Sequence, residues 1–314
     1  MEKLSPRNNT LWLLTKFFTK GSDKSIPILH GPRGLVFSDL DKANTLVEQF
    51  EKVHHLTENF GDEAIKKNVE KACENIKRSD VLVDDIDFVS PREVAKIIKT
   101  VKSKKATGSD SIQNIVLKNL PRKAITHLTN IFNACLRLSY FPSEWKKADV
   151  LGVKKAGKDK LFPQNYRPIS LLQTMSKIFE KVVLFRLLKH ENNAKILIPE
   201  QFGFRRGRST VHQLARLTND ISEGFNRNQS TATLLLDIEK AFDTVWHKGL
   251  LYKLQRYGFP LYLVKFISSY LENRKFCTVV NGVRSEEHDL VAGVPQGSIL
   301  GPVLFLDYLN DIPK

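Results

Sequence analysis

A six-residue apolar run, Thr231–Leu236, ends directly at Asp237 and narrows the choice of fold more than any other segment. The run is too short for a typical helix, and its residues do not alternate between apolar and polar. A short segment that is apolar on both faces is typical of a central strand covered on both sides of its sheet. It therefore predicts a layered fold in which 231–236 is a buried strand.

Periodicity along the rest of the chain predicts an α+β fold with a mostly antiparallel sheet. Helices are predicted at about 41–55, 91–101, 121–136, 174–191, 210–226, 247–257, 260–272 and 299–310. Strands are predicted at 148–155, 276–280 and 284–291, with a hairpin turn at Asn281-Gly282 between the last two. The helix faces expected to point inward include Ile131, Phe185, Val211, Leu214 and Phe225.

The clearest helix start follows Ser90. Ser90 can cap the helix, Pro91 suits its first turn, and the Glu93 side chain can reach back to the cap amide. Residues 1–40 mix short apolar runs with Gly and Pro, which predicts loosely packed connecting chain.

Lysine and arginine outnumber the acidic residues by 15 over 314 residues, and the excess is concentrated in 145–208. That block holds fifteen Lys and Arg against five Asp and Glu. Such a charge can neutralise several phosphates and favours a nucleic-acid or polyphosphate partner. A solubilising surface is the alternative interpretation.

No stretch of about 18 consecutive apolar residues occurs, so no membrane-spanning helix is predicted. Lys16 and Lys20 interrupt the N-terminal apolar runs, which is unlike a secretory signal. The three cysteines lie far apart, so neither a disulfide framework nor a zinc cluster is expected. We expect an intracellular protein, nuclear or cytoplasmic, that is neither secreted nor in a membrane.

Asp237 is the sharpest candidate for chemistry. A carboxylate at the end of a buried strand is costly unless it is paired or binds a cation, and Mg²⁺ would suit it. A magnesium-bound carboxylate there would give a phosphoryl-transfer site. The alternative is that Asp237 caps the following turn or pairs with Lys240.

Two further segments combine residues suited to a nucleotide or nucleic acid. In 292–302, Gly and Pro would let the backbone approach a flat ligand closely, and Gln296 can both donate and accept hydrogen bonds. In 201–208, two phenylalanines alternate with three arginines, which suits stacked bases and phosphates. Taken alone, an ordinary Gly/Pro loop and a solvated basic turn are equally good interpretations.

Five segments in order carry a resemblance to a known family: Lys105–Ile112, Asn165–Leu172, Gln201–Arg208, Leu234–Asp243 and Ala292–Pro302. With them the chain resembles the reverse transcriptases of non-LTR (LINE-like) retrotransposons, most closely the jockey-type branch. The resemblance implies an RNA-directed DNA polymerase with a right-hand fold. Its partners would be an RNA template, a DNA primer and deoxynucleoside triphosphates.

The resemblance also implies a role for particular residues. Asp237 matches the first catalytic, metal-binding aspartate of the palm, and the Ile238 carbonyl would help to hold the second Mg²⁺ of a two-ion site. Arg167, with Lys154 or Lys155, matches the triphosphate contacts of the fingers.

Further nucleotide contacts are implied at Phe242, which matches the residue that excludes a 2′-hydroxyl, and at Gln296 and Gly297, which match the loop beside nucleotide and template. RNA contacts are implied for the basic block and for Phe202, Phe204, Arg205, Arg206 and Arg208.

By the same resemblance, 1–88 is a connecting segment, 89–230 a fingers-like region, and 231–314 an incomplete palm. The reverse transcriptase domain would span about 134–314. The family carries an Ala-Asp-Asp hairpin after the segment like Ala292–Pro302, and no Asp-Asp pair follows Asp237 here.

From that departure we expect the thumb to be absent, a sheet edge beside 231–237 to stand open, and the isolated chain to be inactive. The alternative is a non-catalytic, nucleic-acid-binding remnant of such an element.

Overall fold

The computed structural model describes residues 26–32, 34–54, 62–103 and 105–312. Helices α1 to α10 occupy Asp39–Val53, Glu63–Arg78, Pro91–Thr100, Asn114–Lys118, Arg122–Arg137, Thr174–Ala194, Thr210–Asn226, His247–Arg256, Leu261–Leu271 and Gly301–Leu309. Strands β1 to β7 occupy Leu29–Gly31, Gly34–Val36, Lys147–Lys154, Tyr166–Leu171, Arg274–Val280, Val283–Arg284 and His288–Leu290. The mixture of helices and sheet confirms the predicted α+β class. Every helix within these ranges is too short or too polar to cross a bilayer.

The main sheet has the strand order β4-β3-β5, with β6 and β7 both paired to the far edge of β5. Only β3 and β5 run parallel, so the sheet is mostly antiparallel, as predicted. The predicted hairpin is present: Val280 pairs with Val283, and both turn residues between them have positive φ. A separate two-stranded sheet joins β1 and β2.

Two apolar cores hold these elements together. In the larger one the stacked rings of Phe132 and Phe179 lie 4.7 Å apart, and Phe266 meets Phe179 edge-on. In the smaller one α1 covers the sheet, with Phe50 packed in the same cluster as strand residues. Leu29 is fully buried in this second core. The prediction of loosely packed chain before residue 41 is therefore wrong at Leu29; residues 1–25 lie outside the described residues.

The start of α3 is confirmed in part. The Ser90 hydroxyl accepts a hydrogen bond from the Glu93 backbone amide, and Pro91 occupies the first turn. The Glu93 side chain does not return to the cap. Its carboxylate instead pairs with the buried guanidinium of Arg186, at 2.7 Å and 3.2 Å. A charge-assisted pair with a buried arginine is stronger than a neutral bond to the cap amide.

The predicted buried strand at 231–236 is wrong. These residues have no regular secondary structure, and Leu234, Leu235 and Leu236 are each about 80% exposed. A strand is stable only when neighbouring backbone pairs with it. None of the strands that the structure describes lies beside this segment.

Several residues predicted to face inward are exposed. Ile131 and Phe185 lie on the outer faces of α5 and α6. Helix α7 forms as predicted, yet none of its side chains is buried, and Val211, Leu214 and Phe225 are all exposed. The amphipathic pattern predicts that the helix forms, but it does not show whether another element packs against the apolar face.

Two buried carboxyls, Glu191 and Asp307, predict an unusual pH dependence of stability. Burial raises the pKa of Glu191 to about 7, and burial together with Glu191 raises the pKa of Asp307. A raised folded-state pKa stabilises the fold at low pH, and that contribution is lost as the pH rises through the folded value. Wild type should lose this contribution between pH 4.5 and pH 8, whereas Glu191→Gln has no carboxyl group to ionise. The unfolding free energy of the variant, relative to that of wild type, should therefore rise by about 3 kcal/mol over this pH range.

Urea unfolding of both proteins at the two pH values measures this gain. The exposed Glu48 on α1 supplies the control, since Glu48→Gln removes the same charge without burial. A difference between Glu191→Gln and wild type that stays constant with pH would contradict the prediction.

Candidate active site

One cleft of about 740 Å³ gathers residues from four separate segments. Six of the predicted site residues line it: Lys155, Arg167, Asp237, Ile238, Phe242 and Gln296. Lys154 and Gly297 do not line this cleft. Gln49, Phe50 and Val53 of α1 also form part of its wall, and no motif or charge pattern pointed to them.

The β3–β4 hairpin positions the basic side of the cleft. Val153 pairs with Arg167 across the hairpin, which sets Lys155 and Arg167 near one another at the end where the loop 155–165 joins the two strands. Lys155 Nζ donates to the Gln164 carbonyl at 2.9 Å. Arg167 is exposed, and among the described residues its guanidinium makes no hydrogen bond or ion pair. It is therefore available for an anionic ligand.

Three carboxylates face the cleft in different environments. Asp237 and Glu239 are exposed, whereas Asp243 is buried and accepts a 2.8 Å hydrogen bond from Gln296 Nε2. Burial raises the pKa of Asp243, and the nearby His54 and the Gln296 amide oppose the shift. Lys240 pairs with Glu239 at 3.4 Å. The alternative in which Lys240 pairs with Asp237 is therefore not observed.

Two glycines of 292–302 let this loop pack closely against other parts of the protein. Gly293 and Gly297 both have positive φ, and a Cβ at either would lie within 2.6 Å of backbone oxygen in Asp243 or Ser170. Their lack of a side chain lets this loop approach the protein backbone at Asp243 and Ser170. The Ser170 amide also donates to the Gln296 carbonyl at 2.7 Å. The loop is thus fastened to β4.

The Phe242 ring is held between two other rings. It stacks on Phe305 of α10, with centroids 4.7 Å apart, and meets Phe204 edge-on at 5.7 Å. Both distances are typical of favourable aromatic pairs. Phe204 thereby connects the segment 201–208 to the cleft.

The arginines of 201–208 are used largely within the turn. Arg205 donates to the Ile198 carbonyl at 2.9 Å and Arg208 to the Pro199 carbonyl at 2.7 Å. Arg208 also covers the Phe202 ring at 4.7 Å. Arg206 is exposed.

A second cleft of about 510 Å³ lies on the other side of the contact between Ser170 and the loop 292–302. Gly297 lines it, as do four lysines: Lys102, Lys105, Lys177 and Lys181. Burial lowers the pKa of Lys177 and of Lys181, and among the residues that the structure describes no acidic side chain lines the cleft. This cleft therefore suits an anion.

Residues 153–314 match the family model described as reverse transcriptase (RNA-dependent DNA polymerase). The chain belongs to the reverse transcriptase family. The matched region contains the residues predicted for the nucleotide cleft from Lys154 onward, and this confirms the resemblance drawn from the motifs.

Relatives of this chain are known in flies. The chain is 35% identical over 312 residues to a protein named probable RNA-directed DNA polymerase from transposon X-element of Drosophila melanogaster, covering 99% of this chain and 34% of that protein. It is also 35% identical over 306 residues to the RNA-directed DNA polymerase from mobile element jockey of the same species, covering 98% of this chain and 33% of that protein. The chain thus spans about a third of the length of these relatives.

Reverse transcriptases generally use Mg²⁺. In the part of the chain that the structure describes, no group of three acidic, histidine or cysteine side chains is placed to hold a metal ion together. Mg²⁺ is commonly held by one or two carboxylates, with waters and substrate phosphates completing its shell. The exposed carboxylate of Asp237 and the Ile238 carbonyl in the same cleft fit an ion that binds together with a triphosphate.

Proposed function

We propose that the 740 Å³ cleft binds a deoxynucleoside triphosphate with Mg²⁺ and adds it to a DNA primer along an RNA template. The observation that carries this proposal is the meeting in one cleft of Asp237, Arg167, Phe242 and Gln296, which come from distant segments. We further propose that 89–230 forms the fingers and 231–314 part of the palm, after a connecting segment at 1–88.

Asp237 would hold the ion through its carboxylate and Ile238 through its carbonyl. When bound, Mg²⁺ would neutralise charge on the phosphates and favour attack by the primer hydroxyl. The protein's own cations face the same ligand: Arg167 can donate two parallel hydrogen bonds to a phosphate, and Lys155 adds a point charge. Lys154, the last residue of β3, would also contact the triphosphate.

Phe242 would press on the sugar and exclude a 2′-hydroxyl by steric contact. Gln296 is oriented by its bond to Asp243, and Gly297 brings the loop against β4. Together they would form the wall beside the base. Water would be displaced where the base and sugar contact these side chains, which strengthens the electrostatic contacts to the phosphates.

An RNA partner is supported by the four-lysine cleft, which adjoins the nucleotide cleft along β4 and has no acidic side chain among its described lining residues. We propose that the template strand binds here and along 145–208, with the exposed Arg206 as a further contact. Phe202, Phe204, Arg205 and Arg208 were expected to contact RNA as well. The bonds of Arg205 and Arg208 to backbone carbonyls favour a role in shaping the turn.

Removing charge from this cleft should weaken the salt dependence of RNA binding. For single strands, each neutralised phosphate contributes about 0.7 to the slope of log K against log salt. The double variant Lys177→Gln/Lys181→Gln should therefore reduce the magnitude of the slope by about 1.4, measured by fluorescence anisotropy with a labelled single-stranded RNA.

Lys67→Gln/Lys71→Gln makes the same change at the same helical spacing on the exposed face of α2, and should leave the slope unaltered. A slope that both pairs reduce equally, or that neither pair reduces, would contradict the assignment of this cleft to the template.

A non-catalytic RNA-binding protein is the second candidate. It is favoured by the exposed position of 231–238 outside the sheet and by the lack of a preformed three-ligand metal cluster among the described residues. On this view the lysine cleft would still bind RNA, but the isolated chain would not extend a primer.

Primer extension on poly(rA)/oligo(dT) with dTTP and Mg²⁺ separates the two. Because the chain spans about a third of the length of the relatives that it matches, the assay is run on a graft. A graft, in which this chain replaces the matching third of the X-element polymerase, should extend the primer. A folded graft that binds template and primer but incorporates nothing would favour the second candidate and contradict the proposed catalysis.

A further inference from the structure

We propose that Phe204 is a positioning residue that fixes the Phe242 ring and thereby sets how strongly the cleft prefers a deoxyribose to a ribose. The inference rests on the proposed function, because it takes Phe242 as the residue that contacts the sugar. It assigns Phe204 a role in nucleotide choice, in place of the RNA contact expected from its motif.

The ring geometry carries the first step. Phe242 is half-buried, and its ring has a neighbour on two sides: Phe305 stacks on it at 4.7 Å, and Phe204 meets it edge-on with an interplanar angle of 89°. Phe305 is buried in the main core, so its position is set by the packing of α10. Phe204 is the support on the solvent side.

The backbone at Phe204 carries the second step. Its φ is +51°, in the left-handed region that is unfavourable for a residue with a side chain. The side chain is also 66% exposed, so general burial does not compensate for this strain. Strain of this kind at a partly exposed aromatic residue points to a specific contact, and the contact observed is the one with Phe242.

The turn around Phe204 is held firmly enough to position a ring. The Arg205 and Arg208 guanidinium groups bind the carbonyls of Ile198 and Pro199, and Gln201 Nε2 donates to the Gly203 carbonyl at 3.1 Å. These bonds lie on both sides of Phe204 in the chain. Phe204 is therefore presented from a braced turn, and its ring limits the rotation of Phe242 toward solvent.

If Phe242 can rotate away, the space beside the 2′ position widens and a ribose hydroxyl is tolerated. Phe204→Ala should therefore reduce the preference for the deoxynucleotide by about three- to tenfold, the scale of one aromatic pair. The loss should come mainly from tighter ribonucleotide binding, since Phe204 itself makes no contact to the deoxynucleotide. Phe204→Tyr keeps the ring and should restore the preference.

The test measures the dissociation constants of dTTP and of ribothymidine triphosphate for the full chain with poly(rA)/oligo(dT) and Mg²⁺. The preference for the deoxynucleotide is the dissociation constant of ribothymidine triphosphate divided by that of dTTP. This ratio is compared among wild type, Phe204→Ala and Phe204→Tyr. Phe225→Ala is the matched control, because Phe225 is an equally exposed phenylalanine on α7.

A lower ratio in Phe204→Ala alone supports the inference. An unchanged ratio, or a proportional weakening of both nucleotides, overturns it while leaving the proposed function intact. If wild type binds neither nucleotide, the proposed function fails, and the inference fails with it.

Discussion

Asp237→Asn should abolish primer extension by the grafted polymerase, with a loss of at least about 10²- to 10³-fold in rate, the scale of removing one electrostatic stabiliser. An asparagine keeps the shape of the side chain but loses the negative charge that a hard cation requires. Because Asp237 is exposed in the cleft and holds no other described group in place, the fold should be unaffected. Steady-state extension rates at saturating dTTP measure the loss.

Glu239→Gln provides the control in the same turn. Glu239 lines the same cleft and is also exposed, yet it pairs with Lys240 and has no assigned part in catalysis. Its rate should remain within a few-fold of the unsubstituted graft. Equal losses in the two variants would show that general negative charge, not Asp237 itself, supports the reaction.

Glu180→Ala should destabilise the protein by about 3 to 5 kcal/mol, since each buried amide that loses its acceptor costs about 1 to 3 kcal/mol. Glu180 is fully buried in α6 and accepts hydrogen bonds from the backbone amides of Ile299 and Leu300, at 2.7 Å and 3.3 Å. Its carboxylate also accepts a hydrogen bond from the Ser176 hydroxyl at 3.1 Å. Removing Glu180 leaves two amides and one hydroxyl without their acceptor at the end of the loop that carries Gln296.

Urea denaturation followed by circular dichroism measures this loss. Glu180→Gln keeps an acceptor for the amides but not the charge, so its loss should be smaller. Glu223→Ala removes an exposed carboxylate that pairs with Arg227, and should change stability by less than about 1 kcal/mol. A Glu180→Ala variant as stable as Glu223→Ala would contradict a structural role for the buried carboxylate.

The local signals in the sequence predicted most elements of the fold. The cap at Ser90 and the turn at Asn281-Gly282 are set by neighbouring residues, and both formed as expected. The strand predicted around Leu234–Leu236 is wrong because a strand depends on pairing partners, and periodicity does not identify them. The unpredicted burial of Leu29 depends on α1, which lies outside the local segment.

The candidate site was predicted in the same uneven way. Motif resemblance placed Asp237, Arg167 and Gln296 in one site, and the structure brings them to one cleft. It could not reveal that α1 supplies part of the wall, because that contact joins residues more than a hundred positions apart. Nor could it separate the arginines that brace the turn from Arg206, since both kinds give the same sequence pattern.

Cross-linking with a photoreactive deoxynucleoside triphosphate tests the central claim most directly. With template, primer and Mg²⁺ present, mass spectrometry should locate the cross-links in peptides that contain 155–168 and 237–243, and excess dTTP should suppress them. Cross-links confined to other surfaces, such as the exposed face of α2, would show that the nucleotide does not bind in this cleft.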